Sequence, residues 1–218
     1  MVRIASLTVL LVSTLTASTF AQNSRVEINP FFGYTFSEGV NIDPLLIEGE
    51  VVTQVNPTSG LSYGLAIGVF VTENTEIGFQ WSQQDSTLEG KGATRRDFAD
   101  MKVNNYHAIF TYNWGDGDAS TRPFLFGGIG ATNYSPSDAM GNAVDSETKF
   151  STTWGGGVKV YPSPRVGFSF TARWTPTYIK SDPAGVWCSP YWPGGCFLLS
   201  EANYSNQLEL SGGVSLRF

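Results

Sequence analysis

A chain of 218 residues with 13 basic and 19 acidic side chains carries a net charge of −6 and shows no basic stripe, which excludes a nucleic-acid partner. Its length suits one domain. Charged residues make up only 15 %, while glycine (24 residues) and aromatics (14 %) are abundant, a balance that favours strands and turns over helices.

The chain opens as MVRIASLTVLLVSTLTASTFAQ. Arg3 precedes an apolar stretch from Ile4 to about Leu15, small residues follow, and cleavage is expected after Ala21. Residues 1–21 are thus read as an export signal and 22–218 as the mature domain, with 12 basic and 19 acidic residues and a charge of −7. A permanent anchor fits the Ser, Thr and small residues less well. Beyond residue 21 no run reaches the ~20 apolar residues of a membrane helix. That criterion is blind to membrane β-barrels, whose strands alternate.

Alternation then recurs along the whole chain. Val26, Ile28, Phe32, Tyr34 and Phe36 share one face, with Glu27, Asn29, Gly33 and Thr35 on the other. Leu61, Tyr63, Leu65, Ile67, Val69 and Val71 form the next apolar face, then Ile77, Phe79 and Trp81, then Tyr106, Ala108, Phe110 and Tyr112. Segments 124–134 and 150–161 are Gly-rich; in the second, Trp154, Val158 and Val160 are placed on the apolar face and Lys159 opposite. Val166, Phe168, Phe170, Ala172 and Trp174 follow, and the chain closes on Leu208, Leu210, Val214, Leu216 and Phe218. A period of two marks strands with two unlike faces, and these segments make eight candidate strands.

The connections alternate in length. Residues 72–75, 115–121 and 162–165 are short; 37–59, 90–100, 135–149 and 179–204 are long. Short turns therefore collect at one end of an up-and-down meander and long loops at the other, as in outer-membrane barrels. The last long loop holds the only two cysteines, Cys188 and Cys196, in VWCSPYWPGGCF. Their spacing and the Pro-Gly-Gly between them suit a local disulfide in an exported protein; two free thiols are the alternative. Zinc would need more ligands than these and a single histidine.

Composition decides which face points outward. In a soluble barrel large apolar residues fill the inside, and in a membrane barrel the faces invert. The non-apolar face here is mostly Gly, Ser, Thr, Asn and Gln, a poor solvated coat but a good filling for a narrow interior. Its charges are Glu27, Glu76, Lys159, Arg173, Glu209 and Arg217, three acids and three bases expected to pair as an interior network with His107. Tyr34, Phe36, Tyr63, Trp81, Tyr106, Trp174 and Tyr178 fall toward the long-loop end, and Trp114, Phe124, Tyr161 and Phe218 toward the short-turn end. Two interfacial aromatic belts are expected from this.

The ending LELSGGVSLRF resembles the C-terminal strand of bacterial outer-membrane proteins. In that family the terminal aromatic strand is recognised by the barrel-assembly machinery, so the resemblance implies Leu216 and Phe218 as an assembly signal. VEINPFFGYTF, RPFLFGGIGA and TWGGGVKVY are similar to segments of small OmpA-like and OmpX-like barrels, and the likeness spans residues 25 to 218. In OmpA itself a peptidoglycan-binding domain follows the barrel; this chain stops at Phe218, and cell-wall binding is not expected.

Motifs for chemistry are sparse. Some small outer-membrane barrels modify lipid A with a His beside a Ser or Asp. Here NNYHAIF has Ile109 where the deacylase pattern His-x-Ser needs Ser, and His107 falls on the inward face. Gly128-Ile129-Gly130 lacks the rest of a dinucleotide fingerprint. Asp116-Gly117-Asp118 has Gly127 where a calcium loop needs Glu, and reads as a turn. No Gly-x-Ser-x-Gly elbow is present.

The expectation is an all-β, eight-stranded antiparallel up-and-down transmembrane β-barrel, a monomer in the outer membrane of a Gram-negative bacterium. It should be non-enzymatic, with no cofactor or metal, contact lipid and lipopolysaccharide, and present four external loops. Trp187, Tyr191 and Trp192 are the candidate contact surface for an unidentified external partner. A lipid A-modifying enzyme with His107 facing lipid, a narrow pore and a soluble ligand-binding barrel are the alternatives.

Overall fold

Strands that alternate oil with small polar groups can satisfy both faces in a bilayer only by closing on themselves. The computed structural model describes residues 26–38, 40–47, 50–91, 95–137, 146–179, 186–188, 196–198 and 204–218. The expected export signal lies outside these. The described residues form strands β1 (Val26–Ser37), β2 (Val40–Ile47), β3 (Glu50–Pro57), β4 (Gly60–Phe70), β5 (Thr75–Lys91), β6 (Arg95–Asn113), β7 (Thr121–Ser137), β8 (Glu147–Val160), β9 (Val166–Tyr178), β10 (Val186–Cys188), β11 (Cys196–Leu198) and β12 (Tyr204–Arg217). Eight of them, β1, β4 to β9 and β12, pair antiparallel in sequence order. The ring closes where β1 meets β12, from Glu27 opposite Arg217 to Ser37 opposite Gln207.

The faces are inverted relative to a soluble barrel. Ile129 is 64 % exposed and Phe170 60 %, whereas Glu27 and Arg173 are each 2 % exposed. Near the external end Tyr34 packs edge-on against Phe36, Tyr63 against Trp81, and Tyr178 lies beside Tyr204. At the other end Tyr112 meets Trp114 in the same way. These pairs set an amphipathic ring at each boundary of the apolar band.

The short turns are locally encoded. Thr72 Oγ1 accepts the backbone N–H groups of Asn74 and Thr75. Gly115 has φ +93°, a left-handed conformation that a side chain would strain. Asn74 Nδ2 donates to the carbonyls of Asn113 (2.7 Å) and Gly115 (2.8 Å), tying the first turn to the second. Asp116-Gly117-Asp118 is indeed in a turn, with Ala119 N–H bonded to the Asp116 carbonyl.

Two expectations fail at the external end. Residues 90–100, expected as loop, are mostly strand: β5 and β6 stay paired out to Lys91 opposite Arg95. The sequence there, GKGATRRDFAD, carries no alternating oil stripe to mark a strand. Backbone pairing and opposed charges such as Asp85 across from Lys102 sustain the ladder instead. Residues 37–59 likewise contain the β2–β3 hairpin, and β3 pairs with the outer end of β5, Gln54 opposite Lys91. In the last loop, β10 and β11 form a small hairpin.

Candidate functional site

The inward positions of the eight strands converge on a narrow lumen, which side chains fill in tiers. At the periplasmic end Glu27 is the hub. Lys159 Nζ lies 2.6 Å from its Oε1, while Tyr161 Oη donates to its Oε2 at 2.6 Å and Arg217 Nε at 3.1 Å. Lys159 also reaches Glu76 Oε2 at 3.1 Å. Higher up, Arg173 Nη2 contacts Glu209 Oε2 at 2.5 Å and Ser82 Oγ at 2.7 Å. All six charges singled out in the sequence are therefore brought into two clusters, contributed by five strands.

Between the clusters Ile109, Phe124 and Phe126 form an apolar plug. Phe31 adds its ring beneath the Arg173 guanidinium, 5.7 Å from centroid to Cζ. A void of about 50 Å³ beside Glu27, Glu76, Gln80 and Lys159 is what remains open at this level. Toward the exterior a chain of neutral hydrogen bonds crosses the lumen. Thr177 bonds Thr132, Thr132 bonds Asn105, Asn105 bonds Gln207, and Gln207 bonds Gln84.

His107 belongs to this upper tier. It is fully buried, its Nε2 lies 2.9 Å from Ser151 Oγ, and Thr132 bonds the same Ser. Among the described residues His107 Nδ1 has no partner, so none of their carboxylates orients the ring. A His–Ser pair in this setting has one element of a nucleophilic dyad, and among the described residues no orienting acid stands beside it.

Three inward residues depart from the sequence reading. Phe124 and Tyr161, expected in the periplasmic belt, are buried inside the barrel. Phe124 belongs to the plug because glycines face it: a Cβ on Gly155 would meet the neighbouring Phe126 ring at 2.6 Å, and one on Gly157 would crowd Phe124 itself. Tyr161 turns in to reach Glu27. Arg122, 1 % exposed, is a fourth interior base that the sequence reading missed. Its signal was available, since Arg122, Phe124 and Phe126 alternate with exposed Leu125 once the Gly pair is ignored.

Of the remaining candidates, Leu216 and Phe218 lie at the seam, where Phe218 and Val26 exchange backbone hydrogen bonds at 2.9 and 3.2 Å. Trp187 and the two cysteines are described by backbone only, and Tyr191 and Trp192 lie outside the described residues. Among the described residues no group of three His, Cys, Asp or Glu could hold a metal ion.

A closed ring with lipid-facing aliphatics, two aromatic boundaries and paired ions inside defines an integral outer-membrane β-barrel of a Gram-negative bacterium. The chain belongs to the outer membrane protein beta-barrel domain family, whose model matches residues 7–218. Its fold is similar to that of Neisserial surface protein A, with TM-score 0.58 at 13 % identity over 88 % of this chain and 97 % of that one. It is also similar to outer membrane protein OprG from Pseudomonas aeruginosa, with TM-score 0.56 at 11 % identity over 90 % and 97 %. A comparison with curated proteins finds no match.

Proposed function

We propose that this protein is a non-enzymatic membrane staple that holds folded β-structure outside the cell for surface contact. One observation carries this reading: the membrane ring is filled by its own side chains, while its strands continue beyond it. A strand needs 9–11 residues to cross the hydrocarbon. β5 has 17 and β6 has 19. The excess extends about 20 Å of paired strand past the bilayer, and the β2–β3 hairpin enlarges it into a sheet. The barrel is a monomer, and Leu216 with exposed Phe218 is the strand end read by the assembly machinery.

The enzyme reading is tested at His107. With lipid A analysed by mass spectrometry, expression of the wild type is expected to add or remove no acyl chain, and His107→Gln to leave the same spectrum. An acyl change that disappears in His107→Gln would establish an enzyme and overturn the staple.

The last loop is proposed to carry the disulfide. The β10–β11 register sets Cys188 directly opposite Cys196, the arrangement a cross-strand bridge requires. Closing so short a loop contributes about 2–3 kcal/mol, acting on local order. Replacing both cysteines by Ser should preserve insertion and heat-modifiable migration, yet hasten protease cleavage of this loop on intact cells. Titratable free thiols in the purified wild type would show that the bridge is absent.

A further inference from the structure

We propose that Tyr178 and Tyr204 form an oxidative cross-linking site, where hydrogen peroxide activated by a haem peroxidase joins the two phenols as dityrosine. The two residues are direct register partners on β9 and β12. Their ring centroids stand 5.5 Å apart, with the planes tilted by 59°. Tyr178 is 37 % exposed and Tyr204 55 %. Other ring pairs of the described residues set a phenol against a different ring: Tyr34 against Phe36, Tyr63 against Trp81 and Tyr112 against Trp114. Here two phenols stand together.

Strand length places the pair within reach of an aqueous oxidant. β9 runs for 13 residues outward from Val166, and β12 spans 14 between Tyr204 and its periplasmic end at Arg217. The hydrocarbon takes about 9–11 residues of each strand, so both rings stand at least two residues, or about 7 Å of strand, beyond it. Tyr178 and Tyr204 also flank the last external loop, residues 179–203. A bond between them ties that loop at its base and fastens β9 to β12. The site stands independently of the proposed external role, because it needs only the ring pair and its depth.

One peroxide balances the chemistry. Each phenol gives up one electron and its O–H proton, leaving a phenoxyl radical. The two radicals join through a carbon ortho to each oxygen, forming one Cε–Cε bond. The hydrogens on those carbons move to the oxygens and restore both phenols. Two electrons and two protons thus leave the protein and reduce one hydrogen peroxide to two waters. Cross-strand pairing already holds the side chains side by side, and exposed side chains rotate on the ps–ns timescale, so the carbons meet without backbone movement. Coupling within one barrel therefore outruns coupling between barrels.

The test treats the folded protein, in non-ionic detergent, with a haem peroxidase and one equivalent of hydrogen peroxide. The monomer should lose the mass of two hydrogen atoms, dityrosine fluorescence should appear, and peptide mapping should join Tyr178 to Tyr204. After protease cleavage within residues 179–203 and boiling, the segment 204–218 should stay attached to the rest of the chain in the oxidised wild type and separate in the untreated one. Tyr204→Phe, which keeps the ring, should abolish the link, and Tyr34→Phe should leave its yield unchanged. An unaltered mass, a link mapped to other tyrosines, covalent dimers in place of the linked monomer, or equal yield in Tyr204→Phe would each overturn the site. If Tyr204→Phe does not fold, the wild-type peptide map decides alone.

Discussion

Glu27→Ala is expected to destabilise the barrel by about 3–5 kcal/mol, the cost of breaking a buried ion pair by removing one partner. Glu27 is 2 % exposed and binds Lys159, Tyr161 and Arg217 at once. Its loss leaves Arg217 without a carboxylate and Lys159 with Glu76 alone. Adding Lys159→Met should recover part of the loss, because one stranded cation goes with it. Urea unfolding in detergent micelles, followed by tryptophan fluorescence, measures the change. The control is Glu38→Ala, at an exposed site where the carboxylate accepts a hydrogen bond from Asn206. If the two variants unfold at the same urea concentration, the interior network does not stabilise the barrel.

The second large effect lies on the opposite face. Ile129→Arg should cost about 2–4 kcal/mol, the penalty for a cation at the bilayer midplane. Ile129 is 64 % exposed, midway along β7, with Ala108 and Thr152 as its strand partners. Val71→Arg, beside the first short turn, should cost about 0–1 kcal/mol because the side chain reaches the interface. Both are measured by unfolding from phospholipid vesicles. Equal losses would mean that neither position lies at the depth assigned to it.

How far each feature could be read in advance depended on the range of the interaction behind it. Outward positions such as Phe79, Phe110 and Phe168 follow from a period of two, which each strand carries within itself. The inward placement of Glu27 and Lys159 follows in the same way, yet their contact does not. They stand 132 positions apart and meet only across a closed lumen. Arg122 escaped notice because the Gly127-Gly128 pair blurs the faces of its strand.

Class, facing and destination were all legible in the order of the amino acids. Alternation, turn chemistry and a terminal aromatic strand are local properties, and a bilayer accepts them in one arrangement, a closed barrel with oil outward. The remaining features arise from contacts between distant strands. Ring closure chose which carboxylate meets which cation. The room left by Gly155 and Gly157 drew Phe124 and Phe126 inward as a plug, and Glu27 drew Tyr161 away from the belt. Pairing between β5 and β6 carried polar residues into a strand that no stripe announces. These depend on which side chains face one another across the lumen or along a ladder, and that is settled only when β1 closes on β12.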